Sequence, residues 1–357
     1  MTRERNLTEK VIAALGLRRF SGLYVWALLI LIFGLWVPST FLTSSTLQSV
    51  LAQQAVTGIV GVGLVFAMAS GAFDLSIGGV VGGSAAIVAE LLIHGWASVP
   101  AIAVALAFGV AIGLLNSIVV VRLRVDPFIG TLGMQAILFA ILGGVTNEQE
   151  IVNIPAGYGS LATDKVAGIP LPFVIMLAVA IVAWYALEWT PFGRRLEATG
   201  SNRESARLAG VRTGRMMTSA YVASGLGAAI GGAILLSQIE GVDPTTGSEF
   251  LLPVYSTVFV GATQIRPGRF NVWGTLLAVY LLATGQAGLE LVGAQNWETQ
   301  LFYGVVLIVA VALAGTRYRA KRKHETELAT DDLPGGGGTV MRDAPVPLDS
   351  VGADGVV

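Results

Sequence analysis

The segment Gly71-Ala72-Phe73-Asp74-Leu75-Ser76-Ile77-Gly78-Gly79 sets a carboxylate and a hydroxyl two residues apart, between two long apolar runs. An ionised group at a bilayer centre costs about 2.5–3.5 kcal/mol on insertion scales, so a carboxylate near hydrocarbon is a functional candidate by default. The flanking glycines point to a helix break, where freed backbone groups line a cavity rather than lipid. Two kinds of chemistry are open to Asp74 and Ser76. They can cap the next helix and act in structure or gating, or they can touch a passing polar solute. Asn116 and Thr131 are the next polar groups in apolar surroundings. Asn or Thr inside a bundle is more often hydrogen-bonding glue between helices than a ligand. Thr131 sits in Asp126-Pro127-Phe128-Ile129-Gly130-Thr131-Leu132-Gly133, where Pro127 suits a first helical turn and Asp126 its positive end. Glu90 and His94, four apart, share a helix face near its outer end and are expected to be solvated, and Glu188 to be interfacial.

Other chemistries are excluded. The chain has no cysteine, which removes disulfides, thiolate metal sites and cysteine nucleophiles. It has no G-x-x-x-x-G-K-[ST] loop, so ATP is not expected to bind by that route. His94 and His324 make no metal set, and no serine–histidine pair suggests a nucleophile. No cofactor is expected in this chain, and it does not read as an enzyme. The energy for any transport comes from a partner subunit or an ion gradient.

The elements that must hold these residues are membrane spans. Of 357 residues, 54% are hydrophobic and 13% charged, about half the charge of an ordinary soluble domain. The 45 glycines suit close helix packing in a bilayer. Ten apolar runs are predicted to span: 23–38, 49–69, 79–94, 101–121, 127–146, 171–189, 217–238, 250–263, 271–289 and 299–316. The third and eighth are short and rich in small residues, hence tilted, broken or re-entrant. With the N-terminus inside, of the 22 Lys and Arg only Lys165 falls outside the cytoplasmic segments. The outer loops carry Glu148, Glu150, Asp164, Glu240, Asp243, Glu249, Glu290 and Glu298 instead. Both termini are therefore expected in the cytoplasm. The chain divides into a cytoplasmic segment 1–22, a transmembrane domain 23–316 with a cytoplasmic loop at 190–216, and a tail 317–357. The first apolar run is span-length and has no cleavage site, so it is not read as a signal peptide. The Gly- and Pro-rich tail is expected to be disordered. A net charge of -1 gives a nucleic-acid partner no electrostatic support.

The longest polar stretch on the inner side runs from Pro191 to Val211. Ser201 or Asn202 is placed to cap a short helix over 203–209, and Gly210 to end it. Such an element either orients the protein by its charge alone or docks a cytoplasmic partner. The stretch resembles the coupling loop of the ribose/xylose/autoinducer-type ABC permeases. Gly193, Arg194, Ala198, Gly200, Asn202, Ala206, Leu208, Ala209 and Gly210 fall in register with its pattern, and Ser205 replaces one alanine. The segment around Asp74 is similar to the family's G-G-I-D-L-S-V-G-S signature, with Ala72-Phe73 for Gly-Ile. Asn116-Ser117 stands for an asparagine-glycine pair, and Pro127 to Gly133 follows P-F-I-x-T-L-G. Gly261, Gly268, Arg269, Gly274 and Thr275 keep part of a further pattern from which Ala262, Pro267 and Phe270 depart. Arg266 and Arg269 read most simply as orienting charges. The resemblance covers about residues 45–315.

What the resemblance implies is an all-α permease subunit in a bacterial inner membrane. It would move a small sugar or sugar-like solute inward on ATP and Mg held by a cytoplasmic ABC ATPase. Its further partners would be an extracytoplasmic solute-binding protein, a second permease chain (identical or a sister) and membrane lipid. The nine loop residues would couple to the ATPase, while Asp74, Ser76, Asn116, Phe128 and Thr131 would serve the pathway or its gate. The rivals are an ion-coupled secondary transporter, for which only Asp74 and Glu90 are candidates, and a membrane enzyme, for which no acid or metal cluster stands out.

Overall fold

The computed structural model describes residues 21–312. The basic N-terminal segment, the end of the tenth expected run and the tail lie outside them, as does the expectation that the tail is disordered.

Every expected run carries a helix. In chain order these are α1 (Ser21–Trp36), a one-turn α2 (Pro38–Phe41), α3 (Ser44–Ala69), α4 (Ile77–Ile93), α5 (Ser98–Ser117) and α6 (Pro127–Thr146). A short α7 (Ser160–Thr163) precedes α8 (Leu171–Trp184), and α9 (Pro191–Ser201) and α10 (Arg203–Leu208) follow it. The chain then forms α11 (Thr213–Ile239), α12 (Leu251–Gly261), α13 (Val272–Leu291) and α14 (Asn296–Ala312). Two helices end in a wider π turn, α5 at Ile118–Arg122 and α8 at Tyr185–Trp189. Among the described residues six helices, counted with their π turns, are long and apolar enough to cross a bilayer: α3, α5, α6, α8, α11 and α13. The third and eighth runs are short, as expected. α4 has 17 residues and α12 only 11, so α12 rises about 16 Å against a hydrocarbon core of about 30 Å.

Helices α3 and α11 form the centre, because small residues let them meet. A Cβ on Gly63 of α3 would lie 3.1 Å from the Gly227 Cα of α11, and one on Gly109 of α5 would fall still closer, on the Gly225 carbonyl oxygen. On α3 every residue from Ala55 to Met68 is buried, the pattern of a helix enclosed on all sides. By contrast α6 and α8 present Ile129, Ile137, Ile141, Ile181 and Val182 outward, apolar surface that lipid or another chain covers.

The all-α expectation needs one small amendment. Lys165–Val166 and Ile169–Pro170 form an antiparallel pair in the loop before α8. Ala167 and Gly168, at φ 52° and 82°, make its two-residue turn. A single bridge between Ile151 and Val242 ties the loops after α6 and α11 together.

Candidate functional site

The site grows from the end of α3. Gly71, at φ +78°, turns the chain out of the helix, and α4 starts only at Ile77. A side chain in that left-handed region costs about 1–2 kcal/mol, and glycine avoids it. Between them Asp74 forms a local turn. Its Oδ1 accepts from the Ser76 amide at 3.1 Å and from the Ser76 hydroxyl at 2.6 Å, the side-chain mimic of a backbone turn that aspartate favours. Ser76, the residue before the helix, makes no side-chain cap of its own.

Four other helices satisfy the rest of this break. Asn116 of α5 donates to the Ser76 hydroxyl at 2.7 Å and more weakly to Asp74 Oδ1 at 3.4 Å. The Thr131 hydroxyl of α6 accepts from the Leu75 amide at 3.0 Å while donating to the Pro127 carbonyl at 2.7 Å. The Tyr255 hydroxyl of α12 accepts from the Asp74 amide at 3.1 Å, and the Tyr221 hydroxyl of α11 donates to the Phe73 carbonyl at 3.1 Å. Phe73 stacks on Tyr255 with ring centroids 6.4 Å apart and meets the Phe128 edge at 6.5 Å. Asp74, Ser76, Asn116 and Thr131 are at most 1% exposed. Each protein hydrogen bond replaces water the interior lacks, which is why this many hydroxyls converge on one unwound turn. Among the described residues no Lys, Arg or His forms an ion pair with Asp74. One buried oxygen beside the turn, Asn116 Oδ1, makes no hydrogen bond among the described residues.

The inner polar stretch holds more structure than its sequence led us to expect. Pro191–Ser201 is a helix in its own right, α9, with Pro191 in its first turn. Asn202 caps α10 as expected, its side chain accepting from the Ser205 amide at 2.9 Å, and Gly210 follows at φ +83°. α9 buries Gly193, Leu196 and Thr199. A Cβ on Gly193 would fall on the Leu187 backbone, and one on Gly200 on the Ala69 carbonyl and the Gly71 amide. Thus α9 rests, backbone against backbone, on the turn that leads into Asp74.

The nine residues of the loop pattern divide by environment. Gly193 and Ala206 are buried, and Gly200 makes the close approach to Gly71. Arg194, Ala198, Asn202, Leu208, Ala209 and Gly210 are exposed, Leu208 to 81%. Of the five pathway candidates, Asp74, Ser76, Asn116 and Thr131 come together, and Phe128, half exposed at 51%, adds only its ring edge. Tyr221 and Tyr255 went unrecognised, although a tyrosine inside an apolar span must place its hydroxyl somewhere. Arg266 and Arg269 do more than orient: Arg266 pairs with Glu188 at 2.9 Å and Arg269 with Glu197 of α9 at 3.0 Å. Glu90 and His94 lie 3.5 Å apart and well exposed. No cluster suited to a metal ion occurs among the described residues.

Long apolar helices around a buried, hydroxyl-bound helix break define a polytopic membrane transport protein. Residues 46–311 match the family described as "Branched-chain amino acid transport system / permease component". The chain belongs to that permease family. It is 31% identical to the ribose import permease protein of Bacillus subtilis (strain 168), over 82% of this chain and 91% of the relative. It is 30% identical to the fructose import permease protein of Rhizobium meliloti, over 82% and 83%, and 26% identical to the D-allose transport system permease protein of Escherichia coli (strain K12), over 83% and 91%. No solved structure matches the chain.

Proposed function

We propose that this chain is the membrane-spanning subunit of an ABC importer that carries a small sugar or sugar-like solute inward. In this reading ten helices span the membrane, both termini face the cytoplasm, and the chain works with a second permease copy or a sister. A cytoplasmic ABC ATPase, holding the ATP and Mg, docks on the exposed side of α9 and α10. A solute-binding protein docks on the acidic outer loops. The family and the sugar-named relatives support the class of solute. The observation that carries the coupling is the seat of α9 on Ser70 and Gly71 through Gly200. A pull on α9 reaches the unwound turn at Asp74 without passing through any flexible side chain. Asp74, Ser76, Asn116 and Thr131 then act as the latch of a gate, whose two arrangements exchange hydrogen bonds.

The test is co-purification of the tagged full chain from gently solubilised membranes. An ATPase and a binding protein are expected with it. Both should be lost when 203–210 is replaced by a flexible linker in a chain that still elutes as a single species. An intact chain without any ATPase would reject the reading and bring forward an ion-coupled transporter using Asp74, whose uptake an ionophore would abolish.

A further inference from the structure

The end of the bundle opposite Gly200 opens into a cleft of about 640 Å³. It lies among the third and fourth turns of α3, the last turns of α11 and α13, and the first turns of α12 and α14. Its size is within the roughly 300–1,000 Å³ of small-molecule sites. Its chemistry differs from that of the rest of the bundle. Gln53, Gln54, Gln238, Gln286, Asn296 and Gln300 all line it together with two carboxylates, Glu249 and Glu290, and among the described residues no Lys, Arg or His does. Six carboxamides are many for one wall of a protein with this apolar a composition. None of the hydrogen bonds around Asp74 involves them.

Gln286 is held at the centre. Its Oε1 accepts from the Tyr303 hydroxyl at 2.7 Å and from Gln54 Nε2 at 3.3 Å, and its Nε2 donates to Glu290 at 2.8 Å. A donor on one side and an acceptor on the other fix which way this amide points. Among the described residues the second hydrogen of Nε2 has no protein acceptor. Gln238 is likewise anchored, donating to the Ala52 carbonyl at 2.8 Å. A carboxamide carries an acceptor and two donors without net charge, and a sugar hydroxyl is itself both donor and acceptor. Such a wall satisfies a ring of hydroxyls in several orientations, and it offers no counter-charge to a phosphate or carboxylate. Phe250, Leu252 and Pro253 supply an apolar flank for the C–H face of a sugar ring.

We propose that this cleft, contained within a single permease chain, is a binding site for an uncharged polyhydroxylated solute of monosaccharide size. The solute class rests on the importer reading above. The existence of a site rests on the cleft itself. Its place, at the end away from α9, makes it the first station after the solute leaves its delivery protein. Weak affinity suits a station that must release onward.

The absence of cysteine makes the test clean. Gln300→Cys is introduced into the full chain and labelled with a membrane-impermeant maleimide in right-side-out vesicles. Val99→Cys, at a position 78% exposed and outside the cleft, is the control. D-ribose and D-fructose are the probes, with D-ribose 5-phosphate and spermidine as charged comparisons. At 10 mM a neutral sugar bound with a Kd of about 1 mM slows labelling about tenfold. Labelling of the Val99→Cys chain stays unchanged. Adding Gln286→Leu, or Gln54→Leu should the first not fold, leaves the unprotected labelling rate alone and cuts the slowing below about twofold. The proposal is overturned if the Gln300→Cys chain is not labelled from outside, if no neutral sugar slows labelling, if either charged compound protects as well as the sugars, or if both Leu variants keep full protection. Protection without a co-purifying ATPase would fail the importer reading alone, and an ATPase without protection would fail the cleft alone.

Discussion

Gly200 of α9 and Gly71, the second residue beyond α3, touch through their backbones: a Cβ on Gly71 would stand 3.2 Å from the Gly200 Cα. Neither residue has a side chain to yield, so the contact is rigid. It joins the exposed inner projection to the buried turn at Asp74 in a single step. Gly200→Ala places a methyl on the Ala69 carbonyl and must push α9 away from α3. Overpacking of this kind costs about 1–3 kcal/mol. Solubilised Gly200→Ala protein should melt several degrees lower than the parent, and uptake in cells should fall more than protein level does. A variant with normal melting and normal uptake would show that α9 is not held here.

Asp74 accepts three hydrogen bonds through one oxygen. Asn at this position keeps an acceptor of the same shape, whereas Leu leaves the Ser76 amide and hydroxyl without a partner. A buried polar group left unsatisfied costs about 1–3 kcal/mol. Asp74→Asn should therefore fold and reach the membrane near parent levels, and Asp74→Leu should be strongly depleted. Equal abundance of the two, measured by fluorescence size exclusion, would mean the hydrogen bonds do not hold the turn. Loss of uptake in a well-folded Asp74→Asn chain would add a need for the charge itself.

Much of this arrangement was legible in the residues, and what escaped has a physical cause. Hydropathy located a helix in each of the ten runs, because burial in lipid demands long apolar stretches and leaves charge at their ends. Pro127 and Asp126 marked the start of α6, where Asp126 accepts from the Phe128 amide at 3.0 Å. Asp74, Ser76, Asn116 and Thr131 were picked out one by one, since polar groups in apolar runs are conspicuous. Their meeting was not legible, because it depends on how five helices cross. α9 was missed for a related reason. Pro191, Gly193 and Gly200 read locally as helix breakers, yet Pro191 fits a first turn and the two glycines are required by backbone contacts that only the tertiary structure supplies. The pairing of Arg269 with Glu197 spans 72 residues of sequence and left no local trace.

Tyr255 and Tyr221 clamp the unwound turn from opposite chemical senses, one hydroxyl accepting from the Asp74 amide and the other donating to the Phe73 carbonyl. Tyr255→Phe and Tyr221→Phe keep both rings and remove one bond each. Each should lower stability by about 1–2 kcal/mol. The residues brace the same short turn, so the double variant should deviate from additivity by about 0.5 kcal/mol or more. Strict additivity in thermal melts would mean that the two tyrosines act on separate structures.

The Arg269–Glu197 pair links α9 to the turn between α12 and α13, and both side chains are substantially exposed. Exposed pairs contribute about 0–1 kcal/mol, so stability is a poor readout and coupling a better one. Arg269→Glu should barely move the melting temperature but should reduce uptake by about threefold or more, as expected when roughly 0.7 kcal/mol of linkage is lost. Glu197→Arg in the same chain restores the pair with its charges exchanged and should recover uptake. Failure of the exchange to rescue would assign Arg269 a different partner.

Two carboxylates in the loop before α12 respond to pH with opposite signs. Burial pushes Glu249 above the usual carboxylate range, whereas the Thr245 hydroxyl holds Asp243 below it. The folded state thus binds the Glu249 proton more tightly than the unfolded chain does. Its contribution is most favourable in acid and is lost as pH rises through the raised value, so at neutral pH the ionised Glu249 is a burden. Asp243 is the reverse: its contribution is present above the unfolded value and fades as pH falls through the lowered one. Glu249→Gln should therefore raise the melting temperature at pH 7.5 relative to the parent and lose that advantage toward pH 4. Asp243→Asn should lower it at neutral pH, with the deficit shrinking in acid. The measurement is a set of melts of the three chains across that range. Parallel curves for parent and Glu249→Gln would place Glu249 in open water rather than in the cleft wall, where it lies between Ser248 and Phe250.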